Sequence, residues 1–339
     1  MISEGTGNLI TTEAEALVNT VNTVGIMGKG VALQFKQAFP ANFKEYERAC
    51  KKGDVRIGKM FVTHTGMLMP RLIINFPTKE HWRSPATLNN IRAGLSDLID
   101  VIQSQGVASV ALPPLGCGLG GLRWEEVRPL IEDAFKALPN VDVVLFAPGT
   151  AMPLERVIRT AKPNLTTWGA ALIRLVKEYS HLGFEASHQE AQKLVYFLVS
   201  AGEPLRVEFS KGDYGPYDDG MRHALLGMEG HYVNGFGEGK RLDPVSLAAG
   251  AFIEADRMLQ HSPETEERVR RVASLIAGFE SPYGLELLAT VHWVATREGA
   301  GSEEEAIALA HSWCSRKRSC LKAEHLRVAW NRLHELKWI

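Results

Sequence analysis

The sequence is poor in cysteine, in long apolar runs and in excess charge of either sign. Its 339 residues include four cysteines at scattered positions, too few for the disulfide framework of a small secreted protein. No run of about 18 apolar residues is present, so we expect no membrane span. Residues 1–5 lack the basic and apolar regions of a signal peptide. These absences favour a cytoplasmic protein without membrane association.

Charge is balanced along the whole chain. The 38 basic residues face 39 acidic ones, and both halves are close to neutral. This balance excludes the bulk basic field of a general nucleic-acid binder, so any contact with nucleic acid must be local. The hydrophobic fraction of 45% is typical of globular protein, and the length is sufficient for two domains.

The first half alternates short apolar runs with longer helical patterns, which predicts a three-layer α/β domain with a mixed sheet. Strands are expected at 16–19, 60–63, 72–75, 107–112 and 141–146. One helix is predicted over 28–39, where Pro40 stops it, and another begins near Ser84 and Pro85. Sheets of this kind bind ligands beyond the carboxyl ends of their strands.

Two glycine-rich loops follow predicted strands and open predicted helices. The first lies at 25–30, and the second, at 116–121, contains Gly116, Gly118, Gly120 and Gly121. Such loops turn backbone N–H groups toward an anion, and two of them on one sheet favour a diphosphate. A tight strand-to-helix turn explains each loop as well on its own. The spacing matches neither a P-loop nor a dinucleotide-binding Gly-x-Gly-x-x-Gly.

Four motifs resemble those of the macrodomain family, an ADP-ribose-binding module, in order and spacing. They are GNLIT at 7–11, ALVNTVN at 16–22, GKGVA at 28–32 and LPPLGCG at 112–118. The last motif, with its continuation to Trp124 and Glu125, is most similar to the branch that contains the terminal ADP-ribose protein glycohydrolase and the DarG antitoxins, which remove ADP-ribose from DNA.

The resemblance implies a cleft in which Asn8 and Leu9 meet the adenine, Asn22 meets the distal ribose, and the two glycine loops hold the pyrophosphate. The implied ligand-binding residues are Asn8, Leu9, Thr20, Val21, Asn22, Gly28, Gly30, Val31, Thr78, Leu115, Gly116, Cys117, Gly118, Leu119 and Gly120. Two positions depart from the family. Many macrodomains carry Asp in place of Asn8, and the protein glycohydrolase branch has an acidic residue at the position of Gly120.

Lys79 occupies the position at which that branch carries its catalytic lysine. A neutral amine attacks the anomeric carbon of the distal ribose and holds the opened sugar as a Schiff base, whereas a protonated one stabilises charge on the departing base. The sequence leaves both roles open. His81 and Trp82 either stack on a base or pin their loop. For Cys117, a small packed residue is a simpler interpretation than a nucleophile.

The second half is mainly helical. We predict a macrodomain at 1–155, a linker at 156–167 and a helical domain at 168–339, with a helix capped by Thr166 and Thr167 and one short strand at 205–209. Motifs at 193–198, 209–217 and 230–235 resemble the helical antitoxin domain of the DarG family. The loop at 211–219 either meets a basic toxin surface or packs on its own domain.

The resemblance therefore implies an enzyme that removes ADP-ribose from ADP-ribosylated, single-stranded DNA and binds the cognate DNA ADP-ribosyltransferase toxin. A non-catalytic ADP-ribose reader and a toxin-sequestering protein are the alternatives. We expect no cofactor and no metal, because His311, Cys314, Cys320 and His325 lack the paired spacing of a zinc site. The base that is modified is not readable from the sequence.

Overall fold

The structure is a computed structural model that describes residues 1–149, 157–183, 185–237 and 244–339. The chain divides into two compact units, Met1–Ala161 and Lys162–Ile339. The predicted boundary at 155 lies outside the described residues. Among the described helices, none is both long and apolar enough to cross a bilayer.

A six-stranded mixed sheet forms the centre of the first unit. Its strands are β1 (Ile2–Glu4), β2 (Ala16–Asn22), β3 (Phe61–His64), β4 (Leu72–Lys79), β5 (Ser109–Leu112) and β6 (Asp142–Leu145). Their order is β1-β6-β5-β2-β4-β3, and every neighbouring pair is parallel except β3 and β4. The carboxyl ends of β2, β4 and β5 therefore lie side by side at one edge of the sheet.

Four helices cover the two faces of this sheet. They are α1 (Gly30–Ala38), α2 (Pro40–Lys52), α3 (Leu88–Ser104) and α4 (Trp124–Phe135). Val18 packs with Ile91 of α3 on one face, whereas Leu17, the next residue of β2, packs with Phe35 of α1 on the other. This alternation is the period-2 geometry of a strand buried on both faces, and it confirms the three-layer prediction.

Two helix boundaries differ from the sequence prediction. Pro40 ends the first helix, but it is also the first residue of α2, because proline at this position loses no hydrogen bond and its φ already suits a helix. The helix predicted from Ser84 begins instead at Leu88. Thr87 caps it by accepting a bond from Asn90 N at 3.2 Å, while Ser84 N closes a turn onto His81 O at 3.0 Å.

The second unit is helical, as predicted, with two small β elements. Its helices are α5 (Thr167–Tyr179), α6 (His188–Ser200), α7 (Asp219–Met228), α8 (Ala251–Gln260), α9 (Pro263–Ile276), α10 (Pro282–Glu298), α11 (Glu303–Ser312), α12 (Ser315–Cys320) and α13 (Ala323–Glu335). Thr166 caps α5. The strand predicted at 205–209 is wrong, because the paired residues are Ser210–Gly212 with Gly215–Tyr217.

Buried charge is concentrated in the second unit. Lys317 is fully buried and donates to Glu286 Oε1 at 2.7 Å and to Thr290 Oγ1 at 2.9 Å. Arg316 adds two bonds to the same carboxylate, at 2.6 and 2.9 Å. Burial alone would raise the pKa of Glu286, but the bonds from Arg316 and Lys317 hold it below its usual range.

Candidate active site

The second glycine loop leaves a row of backbone donors open. Gly116 and Gly121 have φ of +71° and +79°, and the loop closes through Leu122 N to Gly116 O at 3.1 Å. The N–H groups of Gly118, Leu119 and the residue after it have no acceptor in the described part of the chain. Successive unpaired amides in a tight turn form a concave anion site. The open amides are the geometry that the glycine pattern predicts, and phosphate binding by this loop stays a prediction.

The first glycine loop ends at the N-terminus of α1, beside the second. Lys29 is the cap residue of this helix, and its side chain makes no capping bond. The first amides of the helix have no intrahelical acceptor and carry the positive end of its dipole. A Cβ added to Gly30 would lie 4.0 Å from Leu119 Cδ1, so the two loops adjoin. Two adjoining loops of this kind favour a diphosphate, and that ligand stays a prediction.

Lys79, the last residue of β4, lies at the same edge. Its Nζ donates to Trp82 O at 3.1 Å and to Leu119 O at 3.0 Å, which links the strand end to the second glycine loop. Burial lowers the pKa of this amine. Within residues 1–149 and the other described segments, no carboxylate pairs with Lys79. Burial therefore shifts this amine toward its neutral form relative to an exposed lysine.

The carboxylate that the protein glycohydrolase branch carries has no room at Gly120. A Cβ at this position would lie 2.4 Å from Gly116 O and 2.9 Å from Ala86 Cβ. In addition, Ala86 N donates to Gly120 O at 2.9 Å, which ties the loop to the segment before α3. The glycine is thus required by the packing of this loop.

Cys117 has the environment of a packing residue. Burial raises the pKa of its thiol to about 11, with a smaller contribution from Glu125. Its Sγ donates weakly to Leu115 O at 3.5 Å. Because the thiolate is the nucleophilic form, a cysteine with this pKa is a poor nucleophile near neutral pH.

The comparisons with known proteins agree with this geometry. The Macro domain family model matches residues 18–131. A protein from Thermus aquaticus named DNA ADP-ribosyl glycohydrolase is 46% identical over 329 residues, which are 96% of this chain and 91% of the relative. A protein of the same name from Mycobacterium tuberculosis is 45% identical over 354 residues, covering 98% of this chain and 99% of its own. The chain belongs to the DNA ADP-ribosyl glycohydrolase family.

Two further proteins are similar to the macrodomain half or to part of the chain. The solved macrodomain of Mycobacterium tuberculosis DarG is 58% identical, with a TM-score of 0.44, and covers 44% of this chain and 99% of that structure. A Thermosipho africanus protein named DNA ADP-ribosyl transferase-DNA ADP-ribosyl glycohydrolase fusion protein is 35% identical over 37% of this chain and 36% of its own. The predicted resemblance to macrodomain glycohydrolases is confirmed at the level of the family.

Asn22 uses its side chain to shape the first loop. Its Nδ2 donates to Ile26 O at 2.6 Å, and its Oδ1 accepts from Val24 N at 3.0 Å and Ile26 N at 3.3 Å. Tyr46, on α2, donates its hydroxyl to Asn22 O at 2.6 Å. In this DNA ADP-ribosyl glycohydrolase family member, the bonds among the described residues use one of the two N–H groups of Asn22 Nδ2, which leaves the other to donate to the distal ribose. That contact stays a prediction.

The adenine end of the predicted site lies at a short turn near the amino terminus. Asn8 Oδ1 accepts from Ile10 N at 2.9 Å and so caps the 3₁₀ turn Leu9–Thr11. The Leu9 side chain is buried with Ile10 and Phe35. The turn is therefore held by its own residues, and the contacts of Asn8 and Leu9 with adenine stay predictions.

The remaining predicted residues lie on β2, β4 and α1 or in the segments beside α1 and β5. Val21, Thr78 and Leu115 are buried, and Thr78 Oγ1 donates to Val21 O at 3.3 Å between β4 and β2. Thr20 and Val31 are half-buried, and Gly28 precedes α1. The described residues contain no group of three or more His, Cys, Asp and Glu side chains placed to hold a metal ion.

Sequence reasoning missed the bonds that join the loops. Thr23 donates both its N–H and its hydroxyl to Glu80 O, each at 3.0 Å, which connects the first glycine loop to the turn after Lys79. These bonds depend on backbone atoms and on a small hydroxyl, so no sequence pattern marks them. They make the first loop, the Lys79 turn and the second loop one hydrogen-bonded assembly.

Proposed function

We propose that this chain removes ADP-ribose from bases of single-stranded DNA by hydrolysing the N-glycosidic bond, and that it acts in the cytoplasm. The observation that carries this proposal is the position of Lys79, whose amine bonds to the second glycine loop and has no acidic partner among the described residues. The two loops anchor the diphosphate, and the fixed anchor brings the distal ribose to the amine in one orientation. Family membership supports the same reaction class.

In the proposed mechanism the neutral Lys79 amine is the nucleophile. Its two N–H groups already donate to the carbonyls of Trp82 and Leu119, so the lone pair remains available. The lone pair bonds to the anomeric carbon, the bond from that carbon to the base breaks, and a proton from the nitrogen passes to the leaving base. Ring opening then moves a second proton from nitrogen to the ring oxygen and leaves an imine. Water hydrolyses this imine to free ADP-ribose and the amine.

The mechanism is tested with an ADP-ribosylated oligonucleotide. Wild-type protein is expected to release ADP-ribose, and Lys79→Ala is expected to release it at least about 100-fold more slowly. In the presence of cyanoborohydride, reduction of the imine should attach ADP-ribose covalently to the peptide that contains Lys79. Release without any trapped adduct would assign Lys79 the electrostatic role instead. Binding of ADP-ribose without release by the wild type would identify a non-catalytic reader.

We further propose that residues 168–339 bind the cognate ADP-ribosyltransferase toxin. The Thermosipho fusion protein, whose name joins the two activities in one chain, supports this pairing. The hairpin of Ser210–Gly212 and Gly215–Tyr217 exposes Tyr214 at its turn, with Asp213 beside it, and Trp313 Nε1 braces it by donating to Gly212 O at 3.1 Å. The Arg316 guanidinium lies 4.1 Å from the Tyr214 ring centroid, so the exposed part of the tyrosine and the exposed Asp213 carboxylate are what this hairpin offers to a basic partner surface.

Full-length Lys79→Ala separates sequestration from catalysis. Expressed beside the toxin, this variant should still protect cells in part, and it should co-purify with the toxin. Complete loss of protection together with loss of co-purification would contradict the binding role and leave catalysis as the whole antitoxin activity.

A further inference from the structure

Residues 80–84 form a tight turn immediately after Lys79, and this turn exposes a tryptophan. Arg83 N donates to His81 Nδ1 at 3.2 Å, and the Trp82 carbonyl accepts the bond from Lys79. The backbone of Trp82 is thereby fixed, yet 39% of the residue is exposed. A large aromatic side chain held at the surface beside a reactive amine is more typical of a contact site than of a core.

The neighbours of Trp82 add positive charge to this aromatic surface. The Arg83 guanidinium carbon lies 4.5 Å from the indole centroid, and the His81 ring centroid lies 5.3 Å from it. Arg83 forms no ion pair in the part of the chain that the structure describes. An aromatic ring beside an unpaired guanidinium matches one nucleotide, because a base stacks on the ring and a phosphate pairs with the cation.

Three more apolar side chains are exposed on the loops joined to this turn. Leu119 is 57% exposed, and Val24 and Ile26 are each 45% exposed. Val24 and Ile26 follow Thr23, which bonds to the turn through Glu80 O, and the Leu119 carbonyl accepts from Lys79. The glycine loops thus offer amides to phosphates, whereas these side chains offer apolar surface to bases. Because the net charge of the chain is −1, contact with DNA depends on local surface of this kind.

We propose that Trp82 and Arg83 form a docking site for the nucleotide next to the ADP-ribosylated one in single-stranded DNA. The neighbouring base stacks on the indole, and its phosphate pairs with the guanidinium. This inference rests on the proposed function and adds that flanking DNA, as well as ADP-ribose, is recognised. It makes an ADP-ribosylated oligonucleotide a better substrate than the ADP-ribosylated mononucleotide of the same linkage.

The test measures kcat/KM for these two substrates, the oligonucleotide and the mononucleotide obtained from it by nuclease digestion. Trp82→Ala should reduce the advantage of the oligonucleotide about tenfold to a hundredfold, which is the range for loss of one stacked base. Trp82→Phe keeps an aromatic face and should retain most of the advantage. An equal loss on both substrates would overturn the proposal, since it would show that Trp82 only positions Lys79.

Leu68→Ala is the matched control for the aromatic truncation. Leu68 is 91% exposed in the turn before β4, so it lies at the opposite end of this eight-residue strand from Lys79. Leu68→Ala should leave kcat/KM unchanged for both substrates. If wild-type protein releases ADP-ribose from neither substrate, the proposed function fails. The docking site is then tested by binding measurements. Trp82→Ala must weaken the affinity for the modified oligonucleotide and leave the affinity for free ADP-ribose unchanged.

Arg83 is tested by salt dependence. Arg83→Gln should reduce the slope of log affinity against log salt by about 0.7 for the modified oligonucleotide, the value for one phosphate contact on a single strand. Lys136→Gln removes one positive charge at the far end of α4, where Lys136 pairs with Asp133 at 2.9 Å, and should leave the slope unchanged. Identical slopes for Arg83→Gln and wild type would overturn the phosphate contact.

Discussion

Lys79 in the first unit is half-buried and Lys317 in the second is fully buried, and their acceptors differ in charge. Lys79 donates to two neutral carbonyls, whereas Lys317 donates to the Glu286 carboxylate and the Thr290 hydroxyl. A carboxylate stabilises the protonated amine, and carbonyls alone do so far less. Burial lowers the pKa of both amines, and the Glu286 carboxylate opposes that effect at Lys317. One lysine therefore joins β4 to the second glycine loop through neutral acceptors, and the other is fixed in the core by an ion pair.

The largest effect is expected where the buried charge pair is broken. Lys317→Met should lower the free energy of unfolding by about 3 kcal/mol or more, because it removes one cation from a buried carboxylate. Urea denaturation followed by circular dichroism measures this loss. Lys322→Met is the control and should have little effect. Lys322 is exposed, and its ion pair with Glu324 is long, at 3.9 Å. Equal losses in the two variants would remove the contrast between buried and exposed pairs.

For Lys79 the expected loss is in rate. Lys79→Arg should slow ADP-ribose release about 100-fold to 1,000-fold, equivalent to about 3 to 4 kcal/mol, because a guanidinium stays protonated. The wild-type kcat should rise with pH as the amine loses its proton, with the midpoint below the ordinary lysine pKa of 10.5. Substantial activity in Lys79→Arg, or a rate that falls as pH rises, would instead indicate electrostatic catalysis.

His292 contributes to the pH dependence of stability in the second unit. Burial lowers its pKa to about 4, and Tyr196 bonds to its Nδ1 at 2.7 Å. Between about pH 6.5 and about pH 4 the unfolded chain binds a proton that the folded chain does not. The free energy of unfolding therefore decreases by about 3 kcal/mol in total as the pH is lowered through this range. In His292→Gln, the free energy of unfolding measured by urea titration should no longer show this decrease as the pH is lowered. A wild-type slope that matches the variant would mean that His292 is protonated in the folded protein.

The smallest effect concerns the second glycine loop. Gly120→Ala should cost about 1 to 3 kcal/mol of stability, because the added Cβ overlaps Gly116 O. Gly118→Ala is the matched variant, since a Cβ there has no heavy atom within 4 Å, and its thermal transition should stay close to wild type. Calorimetry of the two variants decides between crowding at one position and a general need for glycine in the loop.

The sequence indicated the sheet and the cleft because both depend on local patterns. Apolar runs located β2, β4 and β5, and the glycine spacing located the two loops. By contrast, β1 (Ile2–Glu4) is exposed at all three positions, so its pairing with β6 has no apolar signal. The helix α7 (Asp219–Met228) was not predicted, because it directly follows a turn-rich segment.

Within the site, the position of Lys79 was predictable from the resemblance, and its partners were not. Its acceptors are backbone carbonyls, which every residue carries, so no side-chain pattern identifies Trp82 and Leu119 as the partners. Asn22 illustrates the same limit. A five-residue loop closes through the Asn22 amide, and loop closure depends on three-dimensional distances that motif spacing does not encode.

The crowding at position 120 also restricts how the reaction chemistry can evolve. A lineage that gained an acidic side chain there would destabilise the loop, so selection would act against that substitution. A change at Ala86 would have to come earlier and widen the space. Descendants of this chain are therefore expected to keep glycine at this position unless the neighbouring position changes first.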